Sequence, residues 1–339
     1  MMRRFISGMI GGGMLWLMAA CSEEVTTDDV QTGNEAVITF RLGVPPGDEI
    51  EYTRGSQEAS EWEINRLKVY DFVIDVDTVL VGMQSLVKSD VPGMPDVGSF
   101  TSSSGGGTAR LSLPVDVTGK KHAFAFVANE TGLTHFDSIM QIKVSRIDEL
   151  RKCPSNRRLK DGESCYALME NGPVMTGVTI ESITGDLDCK VSLQRIMARL
   201  DVENNVPESR NFRLKNIWIE NCAPVGYLFG RDSKQQLTAK QWDYKKPVSQ
   251  KQNLQVDMEN GDLKKVLYLY EYLATSAKDI PTLYLRYTLN GAENTLSIPM
   301  VTDGGAKFDI RRNYLYTLVI GDVSAASTRL EYSLKEKGK

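Results

Sequence analysis

The sequence predicts an all-β protein with minor α content, folded as two antiparallel β-sandwich domains. Three observations predict it. Short segments rich in β-branched and aromatic residues recur along the chain. Gly, Pro and Asn-Gly turn signals separate them. Helical spacing is convincing in one stretch only, between Leu133 and Lys152. Many short strands with turns between them argue for sandwiches rather than a parallel α/β sheet. There is no repeat at solenoid spacing.

The chain opens on an export signal. Arg3 and Arg4 precede an uncharged apolar run, Phe5 to Ala20, which ends in the small pair Ala19-Ala20 before Cys21. That pattern is a bacterial lipoprotein signal. The run is too short and too rich in glycine for a permanent span, which needs about 20 predominantly apolar residues. Cleavage before Cys21 is therefore expected, with acylation of its thiol and amine; several acyl chains anchor stably where one is marginal. Residues 1–20 are read as the signal peptide and 21–35 as a flexible tether. Its acidic opening (Glu23, Glu24, Asp28, Asp29) resembles the surface-export signal of Gram-negative lipoproteins, so the expected location is the outer membrane, facing outward.

The strand candidates follow in order. AVITFRL (36–42) is the first, ended by Gly43 to Gly47 with Pro45 and Pro46. Ser60 with Glu63 makes a capping box for one helical turn before the strand LKVYDFVID (67–75). A loop rich in Pro and Gly leads into SSSGGGTARLSLPVDV, read as a turn and a strand, and KHAFAFVANE (121–130) alternates apolar and polar residues. Leu133, Phe136, Ile139 and Met140 recur at helical spacing, and Ile147 with Leu150 forms a second short helical piece. Strands resume with VSLQRIMARLDVEN (191–204), FRLKNIWIENCA (212–223), KKVLYLYEYL (264–273), PTLYLRYTL (281–289) and RRNYLYTLVI (311–320), with turn signals at Asn290-Gly291 and Gly304-Gly305. A junction near Gly185 divides the body into domains of residues 36–185 and 186–339.

Departure of Arg3 and Arg4 with the signal takes the formal charge from −4 to −6, so the chain has no general attraction for nucleic acid. Four cysteines remain besides Cys21, and an oxidising compartment makes pairing the default. Three connectivities are possible. The first choice joins Cys153 to Cys165, closing a polar loop worth about 3 kcal/mol on the chain-entropy model, and Cys189 to Cys222. The alternative for Cys189 and Cys222 is that they are buried thiols acting as small hydrophobes.

Catalytic signals are lacking. His122 and His135 have no partner at metal-ligand spacing and no Cys-x-x-Cys pair exists, so neither a metal site nor a cofactor is expected. His122 is read as a half-exposed strand residue and His135 as a helix-start residue. The glycine run 105–107 lacks the Lys and Ser/Thr of a phosphate loop and is read as a loop. Glu61, Glu63, Asp71 and Asp75 are the carboxylates weighed for glycosidase work; solvated charge at strand edges is the simpler account. Tyr268, Tyr270, Tyr272, Tyr284, Tyr287, Tyr314 and Tyr316 suit cross-strand packing better than sugar stacking.

PVMTG (173–177), VSLQRIMARLDVEN, NCAPVGYLF (221–229), LYLYE (267–271) and RRNYLYTLVI, in this order behind a lipoprotein signal, resemble the fimbrillin family of Bacteroidales type V pili, the FimA- and Mfa-like subunits. NEAVITFRL, the TRG at 53–55, EINRLKVYDF and KHAFAFVANE match the family's opening domain. The resemblance implies two transthyretin-like sandwiches and a surface fibre built by strand exchange with other subunits. It also implies cleavage by an arginine-specific protease between Arg54 and Gly55, which would remove AVITFRL from its sheet and open a groove. An open edge is a template for a strand from another chain. The candidate donor is STRLEYSL (327–334), in which Leu330, Tyr332 and Leu334 alternate. The ending KEKGK lacks the aromatic finish of many stem subunits, so stem, tip and anchor roles all stay open. Expected partners are other fimbrial subunits, the outer membrane through the lipid, and a host or bacterial surface ligand. A surface glycan-binding lipoprotein is the alternative reading.

Overall fold

The computed structural model describes residues 35–43, 63–91, 93–103, 105–114, 119–130, 140–142, 145–151, 153–157, 169, 171–223, 225–229, 252–258, 263–272, 280–301, 305, 309–321 and 331–337. The amino-terminal half forms one continuous sheet in the order β8-β1-β5-β4-β3-β2-β6-β7-β9. Its strands are β1 (Glu35–Gly43), β2 (Leu67–Ile74), β3 (Thr78–Lys88), β4 (Ser99–Ser103), β5 (Gly106–Pro114), β6 (Lys121–Ala128), β7 (Met175–Ser182), β8 (Leu187–Ser192) and β9 (Gln194–Arg195). The β3–β4 seam is held by only two parallel residue pairs, Val87↔Ser99 and Lys88↔Phe100. There the sheet folds over, so that Phe40 of β1 meets Phe124 and Phe126 of β6. Two layers thus enclose a first core containing Ile38, Phe40, Val69, Leu111, Phe124 and Phe126.

The carboxy-terminal half forms two four-stranded sheets, β13-β10-β16-β17 and β12-β11-β14-β15. These strands are β10 (Met197–Asn204), β11 (Arg213–Glu220), β12 (Gln252–Met258), β13 (Leu263–Tyr270), β14 (Thr282–Leu289), β15 (Ala292–Pro299), β16 (Leu315–Gly321) and β17 (Glu331–Lys337). Leu200 and Leu318 of the first sheet join Ile217 and Leu285 of the second in another core. That core also takes in Tyr70, Phe72, Ala123, Ala125 and Val127. β2 and β6 are therefore buried on both faces, and β6 does not alternate apolar with polar as its sequence suggested. Ala123, Ala125 and Val127 face one core and Phe124, Phe126 and Ala128 the other.

A buried polar joint ties the halves together. Ser155 N donates to Gly226 O (2.7 Å) and Leu228 N to Cys153 O (3.1 Å). Thr176 Oγ1 donates to Leu228 O (2.7 Å) and Tyr270 OH to Arg157 O (2.6 Å); within the carboxy-terminal half, Arg312 braces this joint, its Nη1 donating to Leu228 O (2.9 Å) and its Nη2 pairing with Glu271 at 3.0 Å. The one α-helix among the described residues, α1 (Ile147–Arg151), buries Ile147 and Leu150 at the two spaced positions expected. Leu133, Phe136, Ile139 and His135, like Ser60 of the capping box, lie outside the described residues.

Several expectations change. β3 and β4 occupy the stretch read as a Pro- and Gly-rich loop. β3 buries only Leu80 and Leu86 and is bulged against β2 between Asp71 and Phe72, so its sequence carries no clean alternation. β15 was not expected either; only Ile298 of its side chains is buried. It follows β14 through Asn290 (φ 51°) and Gly291 (φ 81°), the left-handed pair that a two-residue hairpin favours. VSLQRIMARLDVEN is not one strand but the end of β8, then β9 and β10. Because β8 and β9 stay in the amino-terminal sheet, the chain leaves that sheet after Arg195 rather than at Gly185.

His122 and Asp71 are not solvated. Both are buried, and His122 Nδ1 lies 2.7 Å from Asp71 Oδ1 across β6 and β2. Breaking a buried pair by removing one partner strands the other charge, at a cost of about 3–5 kcal/mol. His122→Phe, measured by urea unfolding, should lose stability in that range; a loss under about 1 kcal/mol would refute this account of the pair.

Candidate functional site: the β1 seat and the carboxy-terminal strand

AVITFRL forms β1 because its alternation suits a strand with one face buried. Ala36, Ile38, Phe40 and Leu42 are all buried, and Arg41 between them is exposed. The strand is internal to its sheet despite coming first among the described elements. It pairs antiparallel with β5, from Glu35↔Pro114 to Gly43↔Gly106. On its other edge it runs parallel to β8, from Ile38↔Leu187 to Gly43↔Ser192.

Phe40 is the anchor. Its ring lies edge-on to Phe124 (5.0 Å) and to Phe126 (4.9 Å), the geometry aromatic quadrupoles favour. Its register partner on β8 is Cys189. Gly106 and Gly107 let the strands beside β5 approach closely: a Cβ on Gly106 would stand 2.0 Å from Leu42 O, and one on Gly107 2.1 Å from Thr101 O. Two of the three glycines read as a loop are thus strand residues whose missing side chains shape the seat. Only Gly105 (φ 90°) serves the turn before them.

Polar contacts on the outer rim fix the register. Arg41 grips Asp188 through Nε–Oδ1 (2.9 Å) and Nη2–Oδ2 (2.6 Å), and Val37 N donates to Asp186 Oδ1 (2.8 Å). The hydrogen bond and charge of Arg41 hold the Asp188 carboxyl below the ordinary carboxylate range. Both side chains are solvent-exposed, so this pair selects alignment more than it stabilises.

The candidate donor segment is partly described. Tyr332 and Leu334 lie on β17, while Leu330 is outside the described residues. β17 is an edge strand that pairs antiparallel with β16 alone, Ile320 facing Tyr332 and Leu318 facing Leu334. Tyr332 is 42% exposed and Leu334 only half-buried. In this structure the segment is thus docked on its own body, with little side-chain burial holding it. Cys21, Arg54 and Gly55 all lie outside the described residues.

The cysteines depart from the first-choice pairing. Cys153 is a free thiol whose Sγ donates to Glu149 O (3.2 Å), and Cys165, its first-choice partner, lies outside the described residues. Cys189 belongs to the first core and Cys222 to the second, and they are not joined. The antiparallel turn expected near Pro207 does not bring them opposite, because β8 pairs with β1 while β11, just before Cys222, pairs with β12 and β14. Burial, with lesser help from nearby carboxylates, pushes the Cys153 and Cys189 thiols up to about 12.

The carboxylates weighed for catalysis do not come together among the described residues. Asp71 is engaged by His122, Glu63 by Lys88 (3.0 Å), and Asp75 is exposed, while Glu61 lies outside the described residues. Among the described residues no three of His, Cys, Asp and Glu gather as metal ligands, and no helix is long and apolar enough to cross a membrane. Tyr268, Tyr270, Tyr272, Tyr287 and Tyr316 are core residues.

Two outcomes follow for the seat. Phe40→Ala should cost about 3–5 kcal/mol in urea unfolding, and should open Cys189 to iodoacetamide at pH 8, where the parent thiol stays protected; equal labelling in both would contradict the seat's role. Because folding raises both thiols above their ordinary 9.0, the stability they contribute is present below about pH 9 and lost as pH rises through about 12. Replacing Cys153 and Cys189 with Ala should flatten the alkaline fall of the unfolding midpoint across that window.

No family model and no curated protein sequence matches the chain. Solved structures do. A "putative cell adhesion protein" from Bacteroides eggerthii aligns over 90% of this chain and 96% of its own, at 15% identity and a TM-score of 0.53. A "putative cell adhesion protein" from Bacteroides uniformis covers 91% and 98% at 10% identity, TM-score 0.46. The fimbrial anchor protein Mfa2 from Porphyromonas gingivalis covers 90% and 98% at 10% identity, TM-score 0.42. The chain is similar in fold to the Bacteroides eggerthii protein across nearly all of both.

Proposed function

We propose that this protein is a structural subunit of a cell-surface fimbria, exported as a lipoprotein on Cys21, assembled by β-strand exchange and supporting adhesion. One observation carries the proposal: the first strand is an internal strand whose removal would expose two ladders and four apolar sites at once. Arg54 falls, in sequence, between β1 and β2, so cleavage between Arg54 and Gly55 severs β1 from the remaining body. The emptied seat would present the unpaired backbone of β5 and β8, which strongly favours capture of another strand. Capture by a neighbouring subunit is head-to-tail and does not close on itself, so repetition yields a fibre. The fold shared with the Bacteroides eggerthii protein supports this reading, and the work described is mechanical rather than catalytic.

A glycan-binding surface is the second reading, favoured by one pair. Trp218 and Tyr284 stack 5.1 Å apart at 7°, both half-buried on strands whose alternate residues Ile217, Ile219, Leu283 and Leu285 fill the core. A glycan array without hits would remove it.

Treating the purified full chain with an arginine-specific protease should convert monomer into ladders that resist sodium dodecyl sulfate, and Arg54→Ala should abolish them. Persistent monomer with the Arg54–Gly55 bond demonstrably cut would overturn assembly by strand exchange.

A further inference from the structure

The two carboxy-terminal sheets end on four outer strands, β13, β17, β12 and β15, and an outer strand presents unpaired backbone that can template another chain. Three of the four carry features that blunt such an edge. The sequence of β13 includes Lys264 and Lys265, that of β17 includes Lys335, Glu336 and Lys337, and the ladder beside β12 slips between Leu214 and Asn216. β15 has none of these. It pairs with β14 from Leu289↔Ala292 to Thr282↔Pro299 without a shift of register, and from Asn294 to Ile298 its sequence is uncharged.

The hairpin fixes which backbone groups β15 leaves open. Its two-residue turn closes on Leu289 and Ala292, and at the far end of the ladder Met300 N donates to Pro281 O (2.8 Å). Antiparallel pairs alternate between hydrogen-bonded and open ones, so the even-numbered residues of β15 turn their N–H and C=O towards β14. Those of Glu293, Thr295 and Ser297 point outward, and all three residues are exposed. Pro299, next in that series, has no N–H, and its carbonyl accepts from Val301 N (2.9 Å). The open stretch is therefore short and has a defined end.

We propose that the edge of β15 is an interface for a second copy of this chain, the two β15 strands pairing antiparallel about a twofold axis at Thr295. The two four-stranded sheets then become one sheet of double width. Thr295 meets Thr295 of the second copy, and Glu293 meets Ser297 of the second copy on either side, so each open N–H finds a carbonyl. Charge agrees with this register. Glu293, the one charged residue of β15, pairs with Arg286 on β14 and faces a serine of the second copy, whereas like charges directly opposite would destabilise. Other registers lose bonds. A shift of one residue sets outward groups against inward ones. A shift of two sets Glu293 against Pro299, which has no donor, or Ser297 against Gly291 in the turn.

The contact uses neither β1 nor β17, so it is independent of strand exchange. It is also self-complementary, and a contact of that kind closes as a dimer. One pair of strands buries less than a standard interface of about 1,600 Å². A reversible, concentration-dependent dimer is therefore expected.

Arg54→Ala chain serves as the parent for every variant, which keeps strand exchange out of the readout. Cα atoms of a hydrogen-bonded antiparallel pair lie about 5.5 Å apart, within the range that a disulfide bridges. After oxidation with copper phenanthroline, Thr295→Cys should yield a dimer whose disulfide maps by mass spectrometry to residue 295 of both copies. Glu293→Cys alone and Ser297→Cys alone place their thiols about 14 Å apart along the strands, and each should link about tenfold less. Mixed with each other, those two variants should link as well as Thr295→Cys. In sedimentation without oxidant, Thr295→Lys sets like charges on the axis and should raise the dissociation constant about tenfold, with the unfolding midpoint of the parent. A parent that stays monomeric at every soluble concentration overturns the proposal. So do links as strong at 293 or 297 alone as at 295, or dimers unaffected by Thr295→Lys. Should Thr295→Cys fail to fold, the sedimentation of Thr295→Lys decides.

Discussion

The insertion of β1 between β5 and β8 is the constraint on which the amino-terminal sandwich depends. Those two strands have no ladder to each other, so the layer exists only while something occupies the gap. What occupies it must satisfy backbone groups on both edges and fill four apolar sites on one face. Other features serve that fit: glycines at 106 and 107 where the strands crowd, an acidic rim at Asp186 and Asp188, and a phenylalanine pair beneath Phe40.

The rest of the body is held from both sides. β2 and β6 form a wall between two cores, and residues buried on both faces leave no solvent side along which to open. The bonds of segment 153–157 to Gly226, Leu228 and Tyr270 add buried, directional ties between the halves, and Arg312 with Glu271 braces the carboxy-terminal side of that joint. β17 is the opposite case. It has a ladder on one edge only and a half-exposed tyrosine, the marks of an element with a low opening free energy.

Burial explains which residues were misjudged from sequence. His122 and Asp71 looked like strand-edge polar groups because each stands next to apolar neighbours on its own strand. They are buried because they lie on the faces of β6 and β2 that carry Phe124 and Val69 into the first core, between the two layers of the amino-terminal sandwich. Cys189 and Cys222 looked like a pair because their strands are near in sequence; β8 turned back to pair with β1, some 150 residues earlier. In both instances the deciding partner is far along the chain, where local pattern carries no information.

The order of strong strands, the second helical piece at Ile147 and Leu150, the Asn290-Gly291 hairpin and the alternation of AVITFRL were all legible in the amino acids alone. Each depends on contacts or dihedral preferences among near neighbours. The weak strands β3, β8 and β15 were not, since few of their side chains face a core and their identity comes from the ladders beside them. Only the tertiary structure decided that β1 is internal, that β8 belongs to the first sheet and that Phe40 rests on Phe124 and Phe126. Those are long-range pairings, chosen by which buried faces and open edges remain after the local elements have formed.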